Sequence, residues 1–264
     1  MINEFPQVMT IAGSDCDGSA GMQADMNTFF AHDVYGISIL TSCVAGNSYG
    51  IQKAQDLGID FIEQEFKSIA DDFKVRATKT GMLSNDLIIN TVVKNLQHYN
   101  FGKLVVDPVI LTKHGNKLLT DNSFSALKNI LIPLADVVTP NFSEAEILTD
   151  ICIKKEDDMR KVGKLLRNLG AKNVIIKGKH EGSEDVVRDY ILLENDDEFW
   201  LEHQYVNTTR INGTGDTLSA SIVANIAKGK DIKTAITLAH NYTYKCIKNE
   251  IEVGHKFGPI NHWA

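Results

Sequence analysis

Cysteine and proline are scarce in this chain, at four and five of 264 residues. Cys16, Cys43, Cys152 and Cys246 lie far apart and form no CxxC pair, which argues against a zinc or disulfide framework. They read as free thiols of a reducing compartment. No apolar run approaches the roughly 18 residues that a membrane span requires. The start MINEFPQVMT has neither a basic-then-apolar leader nor a transit-peptide composition. The expectation is a cytoplasmic protein without a membrane partner. Positive charge is also in deficit: the net charge of −7 argues against nucleic acid as a partner, because phosphate contacts need a basic face. A nucleotide is still possible if helix N-termini, a lysine or a metal supply local positive potential. Neither GxGxxG nor GxxxxGK[ST] occurs, so a dinucleotide fingerprint and a P-loop are unsupported. With no Pro/Gly/Ser linker, low-complexity tract or repeat, residues 1–264 read as a single domain.

What is present is an ordinary soluble composition, 43% hydrophobic and 23% charged, with ample material for a core. Short apolar runs at 8–12, 37–44, 77–82, 104–109, 137–139 and 174–177 predict strands. Amphipathic stretches between them, at 23–31, 61–73, 86–97, 123–130 and 157–169, predict helices. This alternation implies an α/β fold with a mainly parallel central sheet covered on both faces. Beyond Lys177, segments 190–193 and 198–206 flank Asn-Asp-Asp and predict a small antiparallel edge hairpin. Two helices follow. One starts near Thr214 with Leu218, Ile222, Val223 and Ile226 on one face. The other covers about 233–248, with Ala235, Ile236, Leu238, Ala239, Tyr242 and Cys246 inward.

Four segments carry candidate chemistry, each with a plain structural alternative. In 13-GSDCDGSAGMQAD-25, the small residues Gly13, Gly18, Ser19, Ala20 and Gly21 open a helix and let a ligand approach the backbone. They could equally form a turn that only permits packing, and Asp25 could be a dipole-compensating surface acid or a hydrogen-bond acceptor for a ligand. In 139-TPNFSEAE-146, Asn141 and Glu144 are spaced to reach one metal or its waters. The alternative is capping, with Ser143 as N-cap. In 107-DPVILTKHG-115, Asp107 ends a strand where open α/β sheets bind ligands, and Lys177 ends another. Either could be an ordinary turn residue. Finally, 211-INGTGDTLSA-220 places Gly213, Thr214 and Gly215 at a helix start whose free N–H groups suit an anion. There Asp216 could accept a proton from a hydroxyl or merely offset the helix dipole.

The ordered set AGSD and GMQAD in 12–25, KTGML at 79–83, DPV at 107–109, TPNFSEA at 139–145, IKG at 176–178, GTGD at 213–216 and the stretch 253-VGHKFGPINH-262 resembles the ribokinase-like superfamily. Within it, the chain is similar to the hydroxymethylpyrimidine/phosphomethylpyrimidine kinases and their pyridoxal-kinase relatives. The resemblance implies a three-layer α/β/α sandwich and ATP-dependent, Mg²⁺-assisted phosphorylation of a hydroxymethyl group on a small heteroaromatic ring, with a homodimer as the expected assembly. By position, it implies Gly13, Asp15, Gly21, Asp25, Gly46, Met82 and Val109 on the substrate side. Asn141, Lys177, Asn212, Gly213 and Gly215 fall to the nucleotide, and Asp107 and Glu144 to the metal. The Gly213–Thr214–Gly215 turn becomes the anion hole, and Asp216 the base. Four departures stand out. The pyrimidine kinases typically carry Gln where this chain has Gly46, and Cys where it has Asp216. Thr112 stands where some pyridoxal kinases have a cysteine, and Asn212 replaces a frequent His. The overall similarity implies hydroxymethylpyrimidine or its phosphate as substrate, in thiamine biosynthesis, with pyridoxine or pyridoxal as the alternative because of Gly46 and Asp216. An inactive ligand-binding protein on the same scaffold is the reading from another class.

Overall fold

A computed structural model of the chain describes residues 2–110, 119–179 and 185–264. The strands β1 (Gln7–Asp15), β2 (Tyr35–Asn47), β3 (Gly50–Asp56), β4 (Ala77–Thr80), β5 (Lys103–Val106), β6 (Val137–Val138), β7 (Asn173–Ile176), β8 (Val186–Leu192) and β9 (Glu198–Gln204) form one sheet. Their order across it is β3-β2-β1-β4-β5-β6-β7-β8-β9. From β2 to β7 every neighbouring pair is parallel, while β3, β8 and β9 add antiparallel pairs at the two edges.

The central strands are apolar on both faces because helices cover both. Side chains alternate across the sheet with period two. Thus Leu104, Val106, Val138, Val174 and Ile176 enter one core, with Val105, Val137 and Ile175 in the other. The first core is closed by α2 (Ile59–Asp72), α3 (Asp86–His98), α4 (Asp121–Ala126), α5 (Phe142–Thr149) and α6 (Glu156–Asn168). The second is closed by α1 (Gly21–Ala31), α7 (Thr214–Ala227) and α8 (Ile232–Lys248). The result is the three-layer α/β/α sandwich.

Several elements differ from the sequence reading. The exposed strand β3 extends the other edge, so antiparallel pairing is not confined to the β8–β9 hairpin. The helix expected over 123–130 is α4 followed by a π turn, Leu127–Leu131, and a 3-10 turn that contains Pro133. Leu238 points outward, since α8 is covered along one side only. Helix α7, by contrast, is buried around its whole circumference over 217–225, and its small Ser219, Ala220, Ser221 and Ala224 allow close approach by its neighbours. Among the described residues, no helix is long and apolar enough to cross a membrane.

Candidate active site

The C-terminal ends of the parallel strands and the start of α7 meet at one edge of the sandwich, the crevice where open α/β sheets take ligands. A cleft of about 820 Å³ opens there, within the range of small-molecule sites. The chain reaches the start of α7 through Gly213, which has φ of 82°. A Cβ at that position would come 2.4 Å from the Ser19 carbonyl oxygen, so glycine is required on two counts. The first N–H groups of α7 have no intrahelical acceptor and this turn forms part of the cleft wall, a ready anion cradle. Asp216 stands in the same turn with its side chain 18% exposed.

Lys177, just after β7, places Nζ 3.1 Å from Asp107 Oδ1, beyond the end of β5. Thr139 Oγ1 donates to the same carboxylate oxygen at 3.3 Å. A Cβ on Gly215 would stand 3.2 Å from Lys177 Nζ and 3.3 Å from Asp107 Oδ2, so the α7 turn packs directly on this ion pair. Glu144, from the first turn of α5, completes the group. Its Oε2 accepts from the Asn141 N–H at 2.8 Å, and its own N–H donates to Asn141 Oδ1 at 2.9 Å. The cap of α5 is therefore Asn141 and not Ser143, and capping coexists with a place in the cleft wall.

Burial pushes the Glu144 carboxyl up to about 7, with Lys177 opposing the rise and Asp107 adding to it. Burial alone would depress Lys177, but Asp107 and Glu144 outweigh it and hold the ammonium above its usual range. Asp15 is pushed up to about 6 by burial and by the neighbouring Asp17.

Of the residues to which the resemblance gives roles, twelve reach the cleft wall: Asp15, Gly46, Asp107, Val109, Asn141, Glu144, Lys177, Asn212, Gly213, Thr214, Gly215 and Asp216. Gly13, Gly21, Asp25 and Met82 do not; they pack behind it. A Cβ on Gly21 would come 2.6 Å from the Gly13 carbonyl oxygen, where two backbone segments close on each other, and one on Gly13 would meet the side chains of Ser42 and Met82. Asp25 is neither a surface acid nor part of the wall. It is fully buried, accepts from Thr10 Oγ1 at 2.6 Å and pairs with Lys79 Nζ at 2.5 Å. Thr112 lies outside the described residues.

Two features escaped the sequence reading. One is Lys79 itself, discussed below. The other is the far end of the cleft, where His240 Nδ1 and Asp189 Oδ2 lie 3.0 Å apart beside His203 and Tyr244. His240 Nε2 and Thr243 Oγ1 are buried there without hydrogen-bond partners among the described residues. Neither histidine falls in a motif, and only the antiparallel turn of β8 brings Asp189 to α8.

The family model for phosphomethylpyrimidine kinase matches residues 15–261. A hydroxymethylpyrimidine/phosphomethylpyrimidine kinase of Haemophilus influenzae is 40% identical over 100% of this chain and 98% of its own length. Among solved structures, a phosphomethylpyrimidine kinase from Clostridium difficile superposes with a TM-score of 0.81 at 38% identity, covering 91% of this chain and 99% of that one. An ADP complex of Bacillus subtilis pyridoxal kinase superposes with a TM-score of 0.91 at 35% identity, covering 98% of each chain. With a sandwich of this topology, a match over almost its whole length and relatives that are kinases, the chain belongs to the phosphomethylpyrimidine kinase family.

Proposed function

We propose that this protein transfers the γ-phosphoryl group of ATP to the hydroxymethyl group of a small heteroaromatic ring, with hydroxymethylpyrimidine or its monophosphate as the substrate. The observation that carries this reading is the position of Asp216: a carboxylate at the start of a buried helix, in the same cleft wall as Lys177, Asp107 and Glu144. Asp216 accepts the hydroxyl proton as the hydroxyl oxygen attacks. The N–H groups of the 213–216 turn and the Lys177 ammonium take up negative charge on the group in transfer. Rate acceleration on this reading comes from positioning and electrostatics, without a covalent enzyme intermediate.

The nucleotide reading is supported by the ADP held by the B. subtilis pyridoxal kinase. For Mg²⁺, the donor set fits: this ion takes few protein carboxylates and completes its shell with water and phosphate oxygens. Asp107 and Glu144 would hold it, and it would supply positive charge that neutralises the phosphates. We further infer that residues 1–264 act as one kinase domain, which the continuous sheet supports, and as a cytoplasmic homodimer.

A second reading, pyridoxal or pyridoxine as substrate, is favoured by one observation. Gly46 in the cleft wall offers no side chain to a ring edge. One assay tests both, measuring ATP consumption in parallel with hydroxymethylpyrimidine, its monophosphate, pyridoxine and pyridoxal. A kcat/KM highest for the pyrimidines is the expected result. A B6 vitamer on top would transfer the assignment, and no consumption with any ring alcohol would sink the kinase reading in favour of an inactive binding protein.

A further inference from the structure

Lys79 is a lysine in the middle of a parallel sheet. It lies on β4, where every residue is buried, and its own side chain is fully buried. Its Nζ stands 2.5 Å from Asp25 Oδ1 on α1 and 3.7 Å from Asp216 Oδ1 on α7. Asp25 is fixed in turn by the 2.6 Å hydrogen bond from Thr10 on β1. Gly81 packs beside the pair: a Cβ there would lie at ordinary contact distance from Lys79 Nζ and Asp216 Oδ1, 3.9 and 4.0 Å, and 3.1 Å from Ala12 Cβ. A buried ion pair is a poor device for stability alone, because a well-packed apolar pair of similar volume does as well or better. One that reaches from the core to the wall of the cleft calls for another explanation.

We infer that Lys79 is a positioning residue for phosphoryl transfer: anchored on Asp25, its ammonium holds Oδ1 of Asp216 from beneath and turns the other carboxylate oxygen to the substrate hydroxyl. The inference rests on the reading of Asp216 as proton acceptor. In the step itself, the substrate O–H bond breaks and its proton passes to Asp216 Oδ2. The oxygen forms a bond to the γ-phosphorus, and the bond from that phosphorus to the β-phosphate oxygen breaks, releasing ADP. Lys79 gives up no proton. Before the step Asp25, Lys79 and Asp216 sum to one negative charge; after it, Asp216 is neutral and the Asp25–Lys79 pair still balances itself. Without Asp25, the same protonation would leave a lone buried ammonium, a costly state. Burial alone would depress Lys79, yet Asp25, Asp216 and Asp107 together hold it above its usual range, while burial pushes the Asp25 carboxyl up to about 7 against the pull of Lys79.

The test compares Lys79→Met, Lys79→Met/Asp25→Asn, Asp25→Asn and Asp216→Asn by melting temperature, kcat and KM. The double variant removes both buried charges, so it is expected to fold with KM values within about threefold of wild type and kcat lowered about 30-fold or more, in the range of impaired acid–base catalysis. Asp25→Asn removes the anchor of Lys79 and keeps its ammonium, so kcat is expected to fall at least about tenfold with KM within about threefold of wild type, as expected for a misplaced orienting group. A folded double variant with near-wild-type kcat, while Asp216→Asn is inactive, would overturn the role of Lys79 alone. Should the double variant not fold, a folded Asp25→Asn with wild-type kcat overturns it instead. Wild-type turnover by Asp216→Asn removes the proton-acceptor reading itself.

Discussion

Lys177 Nζ and Asp107 Oδ1 lie 3.1 Å apart directly against the first turn of α7, so close that a Cβ at position 215 would stand 3.2 Å from the ammonium and 3.3 Å from Asp107 Oδ2 and shift one or both. Gly215→Ala therefore drives a methyl group into the ion pair. Helix propensity alone favours the change by about 1 kcal/mol. The expected outcome is an unchanged or higher melting temperature with kcat at least about tenfold lower, as expected for a small misplacement of groups that orient reactants. Parallel thermal melts and steady-state kinetics check it.

Asp216→Asn separates base from cap. Loss of a general base lowers kcat by about 10²-fold or more, whereas loss of a dipole-compensating charge costs only about 0.3–1 kcal/mol of stability. We expect the first, with ATP affinity retained. Titration calorimetry with ATP alongside turnover measurements decides between them.

Glu144→Gln keeps the shape of the α5 cap and removes the charge. Glu144 is pushed by burial from 4.5 to about 7 in the folded chain, so ionising it weakens the fold as pH rises from 4.5 to about 7, and no further above that. The Gln variant is expected to match wild type in urea midpoint near the lower pH and to exceed it above pH 7. Its Mg²⁺ requirement for half-maximal activity is expected to rise at least about tenfold, the size seen when groups at a metal site are lost.

His240 gives the opposite kind of test. Burial alone would lower its pKa from 6.5, but the hydrogen bond and charge of Asp189 outweigh this and raise it. The stability it contributes is fully present below 6.5 and is lost as pH rises through the higher folded value. The stability gap between wild type and His240→Gln, read from urea denaturation, is expected to narrow between pH 6 and pH 8.5.

The parallel strands were legible because helices on both faces force continuous apolar runs such as 104-LVV-106 and 174-VII-176. Strand β3 was not, because 50-GIQKAQD-56 is almost wholly exposed and gains its conformation from pairing with β2, not from burial. The glycine turn at 213–215 announced itself by composition, since only backbone contacts demand glycine there. Asp25 was misplaced for a physical reason: an acid near the start of a helix normally faces water, and only a buried lysine from a strand distant in sequence turns it inward. Lys79 carried a signal of its own, a charge inside an apolar strand, whose meaning depends on partners on two other elements.

The two ends of the cleft are built on different footings. Asp216 rises from the most enclosed helix of the molecule, braced from below by Lys79 and from the side by Lys177 and Asp107. Gly46, Asn47 and Tyr49 belong to the β2–β3 ribbon, whose outer strand faces solvent. A change in the ribbon disturbs little else, whereas a change beneath Asp216 propagates through the core. If the ribbon carries the ring-facing wall, as proposed, such a division would let a lineage exchange one vitamin ring for another while its phosphate chemistry stays fixed. A common scaffold shared by pyrimidine and pyridoxal kinases is what that freedom would leave behind.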